Sequence, residues 1–585
     1  MLYREVADFY EKVEATTKRL EITALIVDML KHSSCEEITC VVYMTHGKLF
    51  PDFYPEKIGM AEKMALRTLA TVSRSDAATV EKMYKEKGDI GIVGQDLLQR
   101  AEGGGFGARE LSVREVHREL SEITGATGAG SQEAKVKLLA SLLASSTPVE
   151  AKYILRIVIG KMRIGVAAMT LVDALAATFA TKADKGEVER AFNITSDLGT
   201  VAETLCRDGL SGLRKLKLKV NVPVRSMLAE RLPGIGEILE KMGGRAAFDY
   251  KYDGLRMQAH IDQGKVRLFS RQLEELTDQF PEIVVSVAQA FTGKSGIIEG
   301  ECVPVDINTG ELLPFQVVSR RRGRKHDVRE AVEEFPVTLF LFDLLLFDGE
   351  DYTERPFTER RKKLDSVVGK SERVRTSTMI ITSSEQEAER FFTESLESGC
   401  EGIVAKSVAD DSVYQAGARG WLWIKYKKDY KAEMIDTVDL VIVGALAGRG
   451  RRSGTYGALL MATYNKERDM FETVTKLGTG FDDETLASFP EMLRGYALEH
   501  KDPSVESRAE ADFWFKPAVV LEVLGAEITH SPIHTCCWGE VKKDAGLAIR
   551  FPRFTGNFRK DREAYDATTS REILEMYRMQ LKKTE

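Results

Sequence analysis

Two periodicities divide the chain. Up to about residue 215, apolar positions recur three and four apart, as in VADFYEKVEATTKRL (6–20) and SQEAKVKLLASLLASS (131–146), the spacing that lines one face of a helix. Thr147-Pro148-Val149-Glu150 combines an N-cap threonine, a proline at the first helical position and a glutamate three residues after the cap, which predicts a helix opening there and running through AKYILRIVIGKM (151–162). GGGFGA (103–108) reads as a loop. From about 216 the pattern changes to short alternating or apolar runs: FDYKYDG (248–254), RMQAHID (256–262), KVRLFSR (265–271), GIIEGECVPVD (296–306) and VTLFLFDLLLF (337–347). Turns such as Asp262-Gln263-Gly264 separate them, and helical stretches such as EQEAERFFTESLE (385–397) interrupt them. A third, β-rich texture follows in TVDLVIVGALA (437–447), YGALLMATY (456–464), FETVTKL (471–477) and AVVLEVLGAEI (518–528). The expectation is three domains: all-α over 1–215, mixed α/β over 216–431, and a small β-barrel over 432–585.

The chain has 585 residues, too many for one core, and its 43% hydrophobic and 30% charged composition is that of a folded protein. The longest apolar run, VTLFLFDLLLF, is too short to cross a membrane and carries Asp343. Seven scattered cysteines without a C-x-x-C pair indicate neither a disulfide framework nor a zinc site, and point to a reducing cytoplasm. A net charge of −7 hides four basic clusters in the C-terminal half: SRRRGRKH (319–326), Arg419 with KYKKDYK (425–431), GRGRR (448–452) and RFPRFTGNFRKDR (550–562). These suggest a phosphate-binding surface, and beside one the β-barrel is expected to be an OB-fold.

Candidate chemistry centres on Lys251-Tyr252-Asp253-Gly254, a pattern too short to stand alone, since about 0.15 chance occurrences are expected in such a chain. It is followed in order by Glu299-Gly300-Glu301, Phe342-Asp343 with Asp348-Gly349, Glu401-Gly402-Ile403-Val404-Ala405-Lys406 and Trp423-Ile424-Lys425-Tyr426-Lys427. AQAFTGKS (288–295) mimics a phosphate loop, but it leads into a strand-like run instead of a helix and is rejected.

In that order and at those intervals, the motifs resemble the collinear signature of the covalent nucleotidyltransferases. PVRSMLAE (223–230), FSRQLEELT (269–277), GRGRRSGTYGALL (448–460), RFPRF (550–554), and KMRIG (161–165) with GSQEAK (130–135) in the helical third resemble the ATP-dependent DNA ligases of archaea and eukaryotic nuclei in particular. The resemblance implies a helical DNA-binding domain, an adenylation domain and an OB-fold domain. It implies sealing of nicks in duplex DNA in replication, recombination and repair, through AMP on Lys251 and then on DNA, with ATP and Mg2+ as cofactors. RNA ligases and capping guanylyltransferases are the nearest alternative. Nicked double-stranded DNA is the implied partner, with a sliding clamp as a further one, for a monomer without a membrane.

By matching position, Lys251 is the implied nucleophile, and Asp249 stands where the family usually has the glutamate that reads adenine, one methylene shorter. Arg256 and Arg271 are expected on ribose or phosphate oxygens, Glu301 on ribose and metal, Phe342 stacked on adenine and Glu401 on Mg2+. Arg419, Lys425 and Lys427 are expected on the nucleotide phosphates, and Arg550 on the departing pyrophosphate. Each has a plainer rival: Phe342 as an ordinary core residue, Arg271 as a turn residue, Lys427 as a solvated one, and Glu299 as a mere neighbour of the site. The histidines, including His260, His530 and His534, read as structural. The chemistry agrees with the resemblance: a lysine attacks phosphorus only when neutral, as roughly one in 2,500 is at pH 7 unperturbed, so Arg256, Lys425, Lys427 and a metal are needed to lower its pKa. A barrel that closes over the nucleotide and later admits DNA has to turn, and a hinge is expected near Asp429 to Lys431.

Overall fold

The computed structural model describes residues 1–56, 58–101, 109–128, 130–305, 312, 315, 321, 330, 332, 335–427, 437–448, 454–525, 527–550 and 552–582. The GGGFGA loop, most of the basic runs at 319–326 and 448–452, and the expected hinge at 429–431 lie outside the described residues. The chain forms two compact units, residues 1–73 with 98–428, and residues 74–97 with 429–585.

The first unit opens on helices. The run 6–20 is not one helix: Tyr3–Glu14 and Arg19–His32 are separated at residues 15–18, where Thr16 turns back to hydrogen-bond Glu21. The motif at 147–150 forms the expected capping box, with Thr147 Oγ1 accepting from the Glu150 N–H, and starts the helix Pro148–Val158. That helix ends four residues earlier than expected and is buried along Glu150–Val158, so its charges need partners. Arg156, 1% exposed, donates to both carboxylate oxygens of Glu14 at 2.8 and 2.9 Å. Cys35 and Cys206 form a disulfide with Cα atoms 5.5 Å apart, against the expectation of none. The two are 171 residues apart, so spacing gave no cue.

Two antiparallel-dominated sheets follow. The first holds β1 (Leu228–Arg231), β2 (Ala246–Lys251), β9 (Met379–Thr382), β10 (Gly402–Ser407) and β11 (Arg419–Lys427), ordered β1-β11-β10-β2-β9. The second holds β3 (Leu255–Asp262), β4 (Lys265–Ser270), β5 (Ser295–Pro304), β6 (Val337–Phe347), β7 (Glu350–Asp351) and β8 (Val374–Thr376), ordered β4-β3-β5-β6-β7 with β8 on β6. The β3–β4 hairpin turns through Gln263 and Gly264, both at positive φ (47° and 81°), the two-residue turn that matches strand twist. One face of the second sheet packs on the helices Pro281–Ala290 and Phe357–Val367 around Phe280, Leu339 and Leu364. The other meets the first sheet through Ile297, Leu345 and Leu346 against Tyr414 and Trp423. AQAFTGKS ends that first helix and enters β5, as a phosphate loop would not.

The second unit is sheet-rich. β12 (Val438–Ala447), β13 (Tyr456–Asn465), β14 (Met470–Leu477), β15 (Ala497–Leu498), β16 (Val505–Glu506), β17 (Phe513–Phe515), β18 (Val520–Leu524) and β21 (Arg553–Phe558) make one sheet. Its path is β15-β17-β12-β13-β14-β16, with β18 joining β12 to β21; β19 (Glu527–Ser531) and β20 (Gly546–Arg550) pair separately. Among the described residues this is an open, branched sheet.

Candidate active site

β2 is an inner strand of the first sheet, between β10 and β9, and hands the chain across to β3 in the second, so the Lys251–Gly254 turn spans the gap between them. Gly254 is needed there: a Cβ would lie 2.5 Å from the Cys302 carbonyl oxygen on β5. Around the turn is a cavity of about 730 Å³, lined by Asp249, Lys251, Arg256, Arg271, Glu301, Phe342, Glu401, Arg419, Lys425 and Lys427. Ten of the eleven expected site residues thus face one space. The eleventh, Arg550, has its backbone in β20 of the other unit, and its side chain lies outside the described residues.

Strand register explains the central contact. Gly402 of β10 pairs with Lys251 on one side and Lys427 on the other. A side chain at 402 would lie 2.3 Å from the Tyr426 carbonyl, and the backbone has φ 143°, so only glycine fits. Glu401, the residue before it, is thereby set between the two lysines, with Oε2 2.5 Å from each Nζ. These cations hold the Glu401 carboxyl below its ordinary value despite burial, which alone would raise it. Lys425 is pulled down by burial and then by Lys427, Arg419 and Lys251, so this wall of the cavity is crowded with positive charge.

Acidic groups line the same cavity. Burial pushes Glu301 up to about 7, with Lys251 and Arg256 opposing and Glu401 and Asp253 adding to the rise. Asp253, which accepts from the Phe315 N–H at 3.1 Å, is raised by burial and by Glu401. Carboxylates that resist being charged together supply the hard oxygen donors suited to Mg2+, so the residues fit that ion.

Deeper in, Asp249 is 2% exposed and accepts from Lys406 Nζ at 2.7 Å through Oδ2, while its Oδ1 has no partner. Lys406 Nζ lies 4.9 Å from the centre of the Phe342 ring, which packs edge-on against Trp423 at 6.0 Å. Phe342 is half-buried: it lines the cavity and also packs against the core cluster of Ile297, Leu345 and Trp423. Glu299 is fully buried and outside the cavity lining; it accepts from Ser226, Gln258, Arg256 and Tyr414, and so anchors Arg256. His260 is buried, accepts the Asn221 N–H and is pushed down to about 3 by burial, a structural residue as expected. Lys406, Asp253 and Trp423 were quoted within motifs but given no role; Lys406 shares the i, i+2 alternation of Gly402 and Val404 on β10, the signal that would have found it.

Two packed sheets with a lysine at their crossing, and lysines, arginines and carboxylates facing one cavity, define the covalent nucleotidyltransferase class. Three family descriptions match successive parts of the chain: "DNA ligase N terminus" over residues 2–176, "ATP dependent DNA ligase domain" over 226–427 and "ATP dependent DNA ligase C terminal region" over 452–562. The chain is 49% identical over 590 residues to DNA ligase 2 of Thermofilum pendens, covering 99% of this chain and 98% of that protein. It is 46% identical over 597 residues to the DNA ligase of Staphylothermus marinus, covering all of both. The solved structure of Pmar-Lig_PreS3, 15% identical, covers 95% of this chain and 99% of its own at a TM-score of 0.55, a likeness of fold. The chain belongs to the ATP-dependent DNA ligase family, with the three-part architecture of helical N-terminal region, nucleotidyltransferase region and sheet-rich C-terminal region. Among the described residues no helix is long and apolar enough to cross a membrane.

Proposed function

We propose that Lys251 is the nucleophile that takes AMP from ATP and passes it to the 5′-phosphate of a nick in duplex DNA. The Lys251 nitrogen forms a bond to the α-phosphorus as the bond to pyrophosphate breaks. A 5′-phosphate oxygen then displaces the lysine from that phosphorus, and the 3′-hydroxyl attacks the DNA phosphate and expels AMP. The observation that carries this reading is the carboxylate of Glu401 at 2.5 Å from both Lys251 and Lys427, inside a cavity whose cations match a triphosphate. Lys427, Lys425, Arg419 and Arg271 hold the phosphates. Arg256 is fixed by Glu299 and keeps Lys251 in positive surroundings. The unpartnered Oδ1 of Asp249 is the acceptor for an exocyclic base amine, and Phe342 forms the apolar floor beneath the ring. Glu301 and Glu401, with Asp253 beside them, would hold Mg2+, which supplies charge neutralisation on the α-phosphate when bound.

Residues 1–215, 216–431 and 432–585 are read as DNA-binding, adenylation and OB-fold domains, with Arg550 on the pyrophosphate and a sliding clamp as a further partner. The support is that the three family matches fall one within each. The test is incubation with ATP labelled at the α-phosphate. Wild type should acquire acid-labile label, whereas Lys251→Ala and Lys251→Arg should acquire none yet still seal pre-adenylylated nicks, since arginine stays protonated. Stable protein-bound AMP in either variant overturns the assignment.

A further inference from the structure

A second cluster of chemically active side chains lies in the C-terminal unit, among residues given no role in the nucleotide site. Glu472 on β14 is 1% exposed, and Cys536 and Cys537, which follow β19, are 0% and 2% exposed. A glutamate and two thiols are gathered with their ligand atoms all within 4.8 Å of one another, the one such group of three among the described residues. We propose that Glu472, Cys536 and Cys537 form a closed structural site for a thiophilic divalent cation of the Zn2+ kind.

The plainer reading is two core cysteines, since free cysteine is commonly buried as a small hydrophobe. It does not account for a buried carboxylate turned onto the thiols. Glu472 is not there to balance a buried cation alone: Arg468, half-exposed, reaches its Oε1 at 3.2 Å, and Asn465 donates to the same oxygen at 2.8 Å. Oε2 accepts the Cys537 N–H at 3.0 Å, which draws the carboxylate to the thiol pair. These are the outer contacts that orient a ligating carboxylate.

The cysteines are held as rigidly. The Cys536 N–H donates to the Thr473 carbonyl at 3.0 Å, and the Cys536 carbonyl accepts from the Leu547 N–H at 2.7 Å. Cys537 has φ 53°, in the left-handed region that costs a non-glycine residue of order 1 kcal/mol or more. Its thiol donates to the Ser570 carbonyl at 3.1 Å, at the start of the helix Ser570–Lys582.

Two thiolates and one carboxylate are a donor set for a borderline-soft d10 ion, too sulfur-rich for Mg2+. With Zn–S near 2.3 Å and Zn–O near 2.0 Å, tetrahedral ligand atoms sit about 3.5 to 3.8 Å apart, so from separations of up to 4.8 Å closure asks for at most about 1.3 Å. The Ser570 carbonyl or a water completes the fourth position. Cys537 also lines a cavity of about 570 Å³, which gives the ion a way in. Binding exchanges two thiol protons for the metal and involves no electron transfer. The ion would tie β14, the segment after β19 and the C-terminal helix together, three segments far apart in sequence.

The test uses the full chain, reduced, treated with a chelator and titrated anaerobically with Co2+ and then Zn2+. Expected are one equivalent of Co2+ with a thiolate-to-cobalt charge-transfer band, its loss on adding Zn2+, its absence in Cys536→Ser and Cys537→Ser, and at least about tenfold weaker binding in Glu472→Gln. No band in reduced wild type overturns the proposal, as does a band that survives both cysteine substitutions, or a Cys536–Cys537 disulfide in the purified protein. Should the serine variants fail to fold, zinc-edge X-ray absorption on wild type decides instead: two sulfur scatterers support the site, and none or four refute it.

Discussion

Replacing Glu301 by glutamine should stabilise the protein at alkaline pH while silencing nucleotide transfer. Burial pushes the Glu301 carboxyl up to about 7, although Lys251 and Arg256 pull it down, against an ordinary value of 4.5. In the folded state the proton stays on to about 7, whereas in the unfolded chain it leaves near 4.5. Between those values the folded state binds more protons, so stability falls as pH rises, by about 1.36 kcal/mol per pH unit, or about 3 kcal/mol in all above pH 7. Glutamine never carries the charge. Its advantage over glutamate should therefore be near zero at about pH 4 and grow to no more than about 3 kcal/mol at about pH 8. Urea unfolding of both forms at several pH values, without nucleotide or divalent ions, measures the gap. Adding Mg2+ at about a hundred times its dissociation constant should narrow it by about 2.7 kcal/mol, because only glutamate holds the ion well. A gap independent of pH, or a glutamine form less stable at alkaline pH, refutes the account of Glu301 as a destabilising charge kept for function.

Asp249→Ala leaves Lys406 buried without its carboxylate partner and should cost about 3 to 5 kcal/mol in unfolding experiments; Asp249→Asn, which keeps the shape, should mainly raise the KM for ATP in the labelling reaction. Reducing Cys35–Cys206 should lower stability by up to about 5 kcal/mol on loop entropy for a separation of 171 residues, seen as a lower urea midpoint once mass spectrometry shows both thiols free. Binding to nicked duplex DNA should depend little on sequence, with log K falling by about 0.9 per neutralised phosphate for each unit of log salt, read by titration at several salt concentrations.

Elements whose periodicity decides them were legible: β6 spans Val337–Phe347, the apolar run read from sequence, and the helix Glu385–Glu397 matches its amphipathic stretch. The capping box at Thr147 was legible because its chemistry lies within four residues. The cavity around Lys251 was legible because its residues sit in short motifs whose order along the chain carries the family. What failed was non-local. The disulfide joins residues 171 apart, and the Glu472 cluster joins a strand to a segment some 60 residues on, so neither leaves a spacing to read. Asp249 was expected in the site and lines the cavity, but its bond to Lys406 comes from the pairing of β2 with β10, which no sequence pattern states.

That pairing also explains why one acidic residue sits against two lysines. Lys251 and Lys427 lie on either side of Gly402, and Glu401, the residue before it, stands 2.5 Å from both, so two lysines share one carboxylate. A triphosphate has the wrong sign to draw Glu401 away, but its oxygens suit Lys427, Lys425 and Arg419, and a cation bound beside Glu301 suits Glu401. Filling of the cavity is therefore expected to need nucleotide and cation together, read as ATP binding that weakens when the divalent ion is withdrawn, because only the two together satisfy both the lysines and the glutamate that had been satisfying each other.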